Sequence, residues 1–148
     1  MTPPTTYAEW IVIMDMFNSK ADDEGSITAM QHGMLNWQSG VAERFTKKLL
    51  NVVNNRLNLA SDKFQRDMSH ANGQERLITE ALLQLRTEIR KVAAITKLEV
   101  IPEKYREEYG KLIKEHADKI QNSLESSARC DRSGRLLSIV RNYKINIL

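Results

Sequence analysis

Cysteine is nearly absent from this chain: Cys130 stands alone. An internal disulfide is therefore excluded, and a single thiol fits a reducing compartment. Long apolar runs are missing too. The most apolar stretch, Trp10 to Met14 with Met16 and Phe17 beyond Asp15, falls far short of the roughly 20 residues that a membrane span needs. No basic leader precedes it and no small-residue cleavage pattern follows, so it does not read as a secretory signal, and a cytoplasmic protein with no membrane partner is expected. Phosphate-cradling glycine loops are likewise lacking. Gly25, Gly33 and Gly40 match neither the P-loop nor the dinucleotide fingerprint and read as helix breakers.

Metal-ligating patterns are also absent. His32, His70 and His116 have no second His or Cys at helical spacing, and Cys130 has no CxxC partner. Paired glutamates that hold two metals inside a bundle come with Glu-x-x-His, whereas here Glu115 and His116 are adjacent. Cys130 lies between Arg129 and Arg132, which favours a thiolate, but no histidine lies within ten residues to act as a base. No catalytic residue, cofactor site or metal site is expected, and the protein does not read as an enzyme.

What the sequence does contain is helical periodicity. At 148 residues, with 41% hydrophobic and 28% charged side chains, it suits one compact soluble domain spanning 1–148. Thr6-Tyr7-Ala8-Glu9 has the form of a capping box and should start a short helix from Tyr7 to Asn18, apolar on nearly every side. Asp22, Asp23 and Gly25 suggest a turn, and Ser26 a short second helix interrupted at Gly33. In 41–68, Val41, Phe45, Leu49, Val53, Leu57, Ala60, Phe64 and Met68 recur at i+3 or i+4 with no Gly or Pro between. A helix of about thirty residues should start near Ser39 and stop at Asn72-Gly73. Its stripe spans about 7.5 turns at 3.6 residues per turn, so it slips about half a turn round the helix, and its two ends must face different neighbours.

Another helix is expected from Gln74 to Lys97, carrying Leu77, Ala81, Leu85, Ile89 and Val92, and forming an antiparallel hairpin with the one before. Pro102 should open a further helix that runs to about Ala128 with Tyr105, Tyr109, Leu112, Ile113, Ile120 and Leu124 as its stripe. The expected fold class is thus all-α: a helical bundle with a long antiparallel helical hairpin and a short C-terminal tail of β-like character. Short N-terminal helices fill 1–40, the long-helix bundle 41–130 and the tail 131–148.

Charge is unevenly spread. The first forty residues carry one Lys against Glu9, Asp15, Asp22, Asp23 and Glu24, a net of −4, which leaves +7 for 41–148 out of the total of +3. Either the two parts attract each other or an external anion is bound. Arg44, Lys47, Lys48, Arg56, Lys63 and Arg66 decorate the long helix, interrupted by Glu43, Asp62 and Asp67. The tail adds Arg129, Arg132, Arg135, Arg141 and Lys144 against Asp131 alone and is the better nucleic-acid candidate. "MQHGMLNW", residues 30–37, gathers methionine and tryptophan, residues common in cores and at adaptable binding surfaces alike.

The tail itself, "DRSGRLLSIVRNYKINIL", places Leu137, Ile139, Tyr143, Ile145 and Ile147 on one side of a strand. Such a strand needs a partner: a second copy, a groove on the bundle, or another protein's sheet edge. That is the preferred reading, with Ile139, Tyr143, Ile145 and Ile147 as partner-binding residues. The alternatives are a helix over Leu136 to Tyr143 and a disordered nucleic-acid-binding arm. The wording of "SGVAERFTKKLLNVVNNRLNLASDKFQRDMSHANGQER" and of the closing segment resembles that of small helical proteins carried on mobile genetic elements of Gram-positive bacteria. The resemblance implies a cytoplasmic accessory protein encoded near DNA-transfer genes and assigns no residue a role. A non-enzymatic interaction or assembly protein, self-associating as a homo-oligomer, is the leading expectation. A nucleic-acid-binding accessory protein that uses the basic tail is the alternative.

Overall fold

The computed structural model describes residues 1–145, the side chain of Ser39 excepted. Among them the chain is all-helical, without strands: α1 (Tyr7–Asn18), α2 (Asp23–Gln31), α3 (Ser39–Ala71), α4 (Glu75–Ala93) followed by a 3₁₀ turn (Ala94–Lys97), α5 (Glu103–Ala128) and α6 (Arg135–Asn142). Among the described residues no helix is long and apolar enough to cross a membrane.

The local signals explain most of these boundaries. Thr6 caps α1 by accepting the Glu9 amide at 3.2 Å, and the Thr5 and Thr6 hydroxyls donate to the Glu9 carboxylate at 3.0 Å. Those bonds hold the Glu9 carboxyl below its ordinary range. The second helix begins earlier than Ser26 because the Asp22 side chain accepts the Gly25 amide at 3.0 Å, which turns the expected loop into a cap. Asn72 and Gly73, with φ of 50° and 76°, provide the left-handed stop of α3. Among the described residues the expected C-terminal strand is not formed: Arg135–Asn142 form α6 instead.

The chain packs as two compact units. The first comprises 1–56 and 92–111 and so takes the N-terminal part of α3, while the second takes the rest from Leu57. The slipping apolar stripe of α3 therefore does serve different neighbours at its two ends.

In the first unit, α1 turns Trp10, Ile13, Met14 and Phe17 inward at i, i+3, i+4 and i+7, and packs on α2. Each such full burial contributes about 1.5–3 kcal/mol. The helix is buried on one side only, since apolar Val12 on its other side is exposed. Phe45 of α3 meets Trp10 edge-on at 5.4 Å and Trp37 at 4.8 Å, and Trp37 stacks on Tyr105 at 6.0 Å. Burial pushes the Tyr109 hydroxyl up to about 12, with the Thr46 hydroxyl opposing the shift. The acidic N-terminal segment is attracted to α3, as one reading of the charge asymmetry expected. Lys48 pairs with Asp15 at 2.7 Å, and Arg56 binds both oxygens of Asp23 at 2.8 and 3.0 Å.

Among the described residues the second unit comprises 57–91 and 112–145. Its core draws Leu57, Ala60 and Phe64 from α3, Ile78, Leu82, Leu85 and Ile89 from α4, and Ile113, Ala117 and Ala128 from α5. Val140 of α6 and Ile145 complete it. Lys63 of α3 donates to Gln84 of α4 at 2.6 Å and to Asp67 at 2.8 Å.

Candidate functional site

The C-terminal segment owes its helix to a cap hidden in "DRSGR". The Asp131 carboxylate accepts the Leu136 amide at 3.1 Å, the Ser133 hydroxyl at 2.9 Å and the Ser133 amide at 3.3 Å. The Ser133 hydroxyl in turn accepts the Arg135 amide at 3.3 Å. Gly134, at φ 73°, makes the left-handed step into the helix that a side chain would resist. The Leu136 amide first, then Ser133, hold the Asp131 carboxyl below its ordinary range, so it is ionised and fully engaged in the cap at neutral pH.

Why helix prevails over strand follows from the side chains. At helical spacing, Leu136, Leu137, Val140 and Tyr143 lie on one side of α6, with Val140 buried and the others half-buried. Val140, an exception on the far face of the expected strand, is the residue the helix buries best. The other end of α6 is satisfied by one buried residue of α5. Gln121 donates to the Val140 carbonyl at 3.3 Å and accepts the Ile145 amide at 3.1 Å, supplying partners that a helix terminus lacks. The tail thus meets α5 of its own second unit as a helix, close to the helical alternative over Leu136 to Tyr143, and not as a docked strand.

Of the four apolar residues singled out in the tail, Ile145 is buried, Ile139 and Tyr143 are half-buried, and Ile147 lies outside the described residues. The basic five are all at the surface: Arg129, Arg132, Arg135, Arg141 and Lys144 are exposed. Asp131 is the sole acid in 129–145. On α6 the exposed arc runs through Arg135, Ser138, Arg141 and Asn142, opposite Val140. Arg135 and Arg141 are about 9 Å apart along the axis at 1.5 Å per residue.

Two of these arginines have carboxylate neighbours brought in by the fold. Arg135 Nε lies 2.6 Å from Glu75 Oε1 at the start of α4, with side chains 72% and 47% exposed. Arg141 Nε lies 3.6 Å from Glu125 Oε1 of α5, with side chains 56% and 24% exposed. Sequence reasoning missed Glu75, Gln121 and Glu125. Nothing marked them, because a polar residue on a helix looks solvated until the element opposite is known.

The basic set of α3 is different. Arg56 is 1% exposed, bonded to the Phe17 carbonyl at 3.2 Å and to Asp23, with its guanidinium 4.5 Å from the Phe17 ring. It belongs to the core of the first unit and to no outer surface. In "MQHGMLNW", Met30 is fully buried, whereas Met34 is 69% exposed on a backbone tied at both polar groups. Its amide donates to the Pro4 carbonyl at 2.8 Å, and its carbonyl accepts Trp10 Nε1 at 2.9 Å. Trp37 Nε1 donates to the Val100 carbonyl at 3.1 Å.

Among the described residues, no group of three or more His, Cys, Asp or Glu is placed to hold a metal ion. No protein-family model, curated protein or solved structure gives a significant match to the chain.

Proposed function

We propose that this chain is a non-enzymatic helical interaction protein that binds the phosphate backbone of nucleic acid through the outer face of α6 and its flanks. The observation that carries this reading is the state of Asp131. The one acid of 129–145 is engaged in the helix cap, while Arg129, Arg132, Arg135, Arg141 and Lys144 remain at the surface. Exposed arginine and lysine neutralise phosphates and release their counterions. Ser138 and Asn142 between the two α6 arginines add neutral donors of the kind that position a backbone. The resemblance to helical proteins of Gram-positive mobile elements fits a cytoplasmic accessory role of this sort. The bond from Lys63 to Gln84 supports the reading of α3 and α4 as an antiparallel hairpin that presents Glu75 beside α6.

The test is fluorescence anisotropy with labelled duplex DNA over a salt series, comparing the full chain with an Arg129→Gln, Arg132→Gln, Lys144→Gln variant. Wild type should bind with a strongly salt-dependent affinity, and loss of three phosphate contacts should reduce the log–log salt slope by about 2.7. An unchanged slope in the variant removes this surface from the reading.

A second reading, self-association into a homo-oligomer, is favoured by Met34, an apolar side chain held outward on a tied backbone. Light scattering over a concentration series tests it. A concentration-dependent mass that Met34→Asp abolishes supports a second copy as partner, and a monomer at all concentrations removes it.

A further inference from the structure

We infer that Glu75 and Glu125 are built-in competitors for the nucleic acid: they occupy Arg135 and Arg141 in the free protein, and phosphate binding exchanges these carboxylates for backbone oxygens. The inference rests on the nucleic-acid reading and adds its regulation. Its basis is the contrast within the five basic residues. Arg129, Arg132 and Lys144 are exposed and form no ion pair among the described residues, while Arg135 and Arg141 each face a carboxylate from a different helix of the same unit. Both pairs are open to solvent on the arginine side, at 72% and 56%, so an incoming phosphate reaches the guanidinium without unfolding anything. Nε makes an approach of 2.6 Å in the Arg135 pair and 3.6 Å in the Arg141 pair, the latter beyond hydrogen-bond distance. A guanidinium carries five N–H donors, and a bidentate Arg–phosphate contact outcompetes a loose exposed carboxylate pair.

The anchoring of α6 makes the exchange feasible. Its position depends on Val140 and Gln121, which lie away from the arginine face, and on the Asp131 cap at its start, whose charge interacts with Arg135 but whose oxygens are bonded to the Leu136 amide and Ser133. The two glutamates therefore act on the arginines' availability rather than on the helix itself. Nucleic acid is favoured over an anionic membrane because the exposed arc of α6 carries no apolar side chain to enter a bilayer: Arg135, Ser138, Arg141 and Asn142 are all polar.

The experiment measures binding of a labelled DNA duplex to the full chain, to Glu75→Gln with Glu125→Gln, and to Glu115→Gln with Asp118→Asn. The last pair makes the same charge change at exposed sites of α5 without an arginine partner. The paired variant should bind about three- to tenfold more tightly than the control variant, the range that two exposed pairs can withhold. Adding Arg135→Gln and Arg141→Gln should erase that gain. Wild-type binding with no difference between the paired and control variants overturns the competition and leaves the nucleic-acid reading intact. Absence of binding in every variant overturns both. Binding by the paired variant alone supports the competition in its strongest form. A gain seen on anionic vesicles but not on DNA overturns the choice of nucleic acid. Circular dichroism of each variant confirms that helix content is unchanged.

Discussion

Arg56 and Arg135 make the same chemical pair in opposite surroundings. Arg56 is buried in the first unit, holds both oxygens of Asp23, and also donates to the Phe17 carbonyl. Arg135 holds one oxygen of Glu75 at the surface of the second unit. A buried guanidinium cannot exchange its partner without carrying an uncompensated charge, whereas an exposed one trades it against water, salt or phosphate. The difference separates an arginine that fixes a fold from one that is available for binding, and both are the letter R in the sequence.

The most severe way to test that separation is Asp23→Ala. It removes the carboxylate that both terminal nitrogens of the buried Arg56 hold and should destabilise the protein by about 3–5 kcal/mol in urea unfolding. A change below about 1 kcal/mol would place Arg56 with the surface arginines and dissolve the comparison.

Next comes the residue that anchors the binding helix. Gln121→Leu keeps the bulk but leaves the Val140 carbonyl and the Ile145 amide without their partner. A loss of about 1–3 kcal/mol is expected, with faster amide exchange concentrated at the end of α6. Uniformly faster exchange throughout the second unit would instead make Gln121 a general core residue.

How legible all this was in the sequence depends on where the deciding partner lies. The α1 start was readable because Thr6 and Glu9 are three residues apart and satisfy each other locally. The stop at Asn72-Gly73 was readable for the same reason, and the slipping stripe of α3 announced its two sets of neighbours. The C-terminal segment misled because Leu137, Ile139, Tyr143 and Ile145 fit a period of two as well as a helix over so short a run. Leu136 and Val140 decided for helix, and the cap from Asp131 to Leu136 was the overlooked signal. The Arg56–Asp23, Arg135–Glu75 and Gln121–Ile145 contacts join residues 33, 60 and 24 positions apart. Nothing in composition or periodicity carries such pairings, so Arg56 was grouped with the other cations of the long helix and Glu75 was not singled out.

The cap itself gives a pH signature. The Asp131 carboxyl is depressed below its ordinary value of 3.8 by the Leu136 amide and Ser133. Its contribution is therefore fully present above about pH 4 and disappears as pH falls through the lowered folded value. Amide exchange or NMR shifts of Arg135–Asn142 should report α6 fraying in that acid window. In Asp131→Asn the acid-dependent step should be gone. A step that survives the substitution would mean that another carboxylate, Glu75 or Glu125, holds the helix.

The smallest stability effect is expected where the binding effect is largest. Replacing Arg135 and Arg141 with Gln removes two exposed ion pairs, each worth about 0–1 kcal/mol, and removes no buried side chain. The unfolding midpoint should barely move, and less still at high salt, because screening already weakens what is lost. Asp23→Ala, by contrast, should keep most of its effect at the same salt, since the Arg56 pair is shielded by Phe17 and the surrounding core. The decisive measurement is thus the pair of urea curves for each variant at low and high salt. If the Arg135, Arg141 variant loses several kcal/mol and salt leaves that loss untouched, the two arginines serve the fold as Arg56 does. The outer face of α6 would then no longer be free to exchange its carboxylates for phosphate.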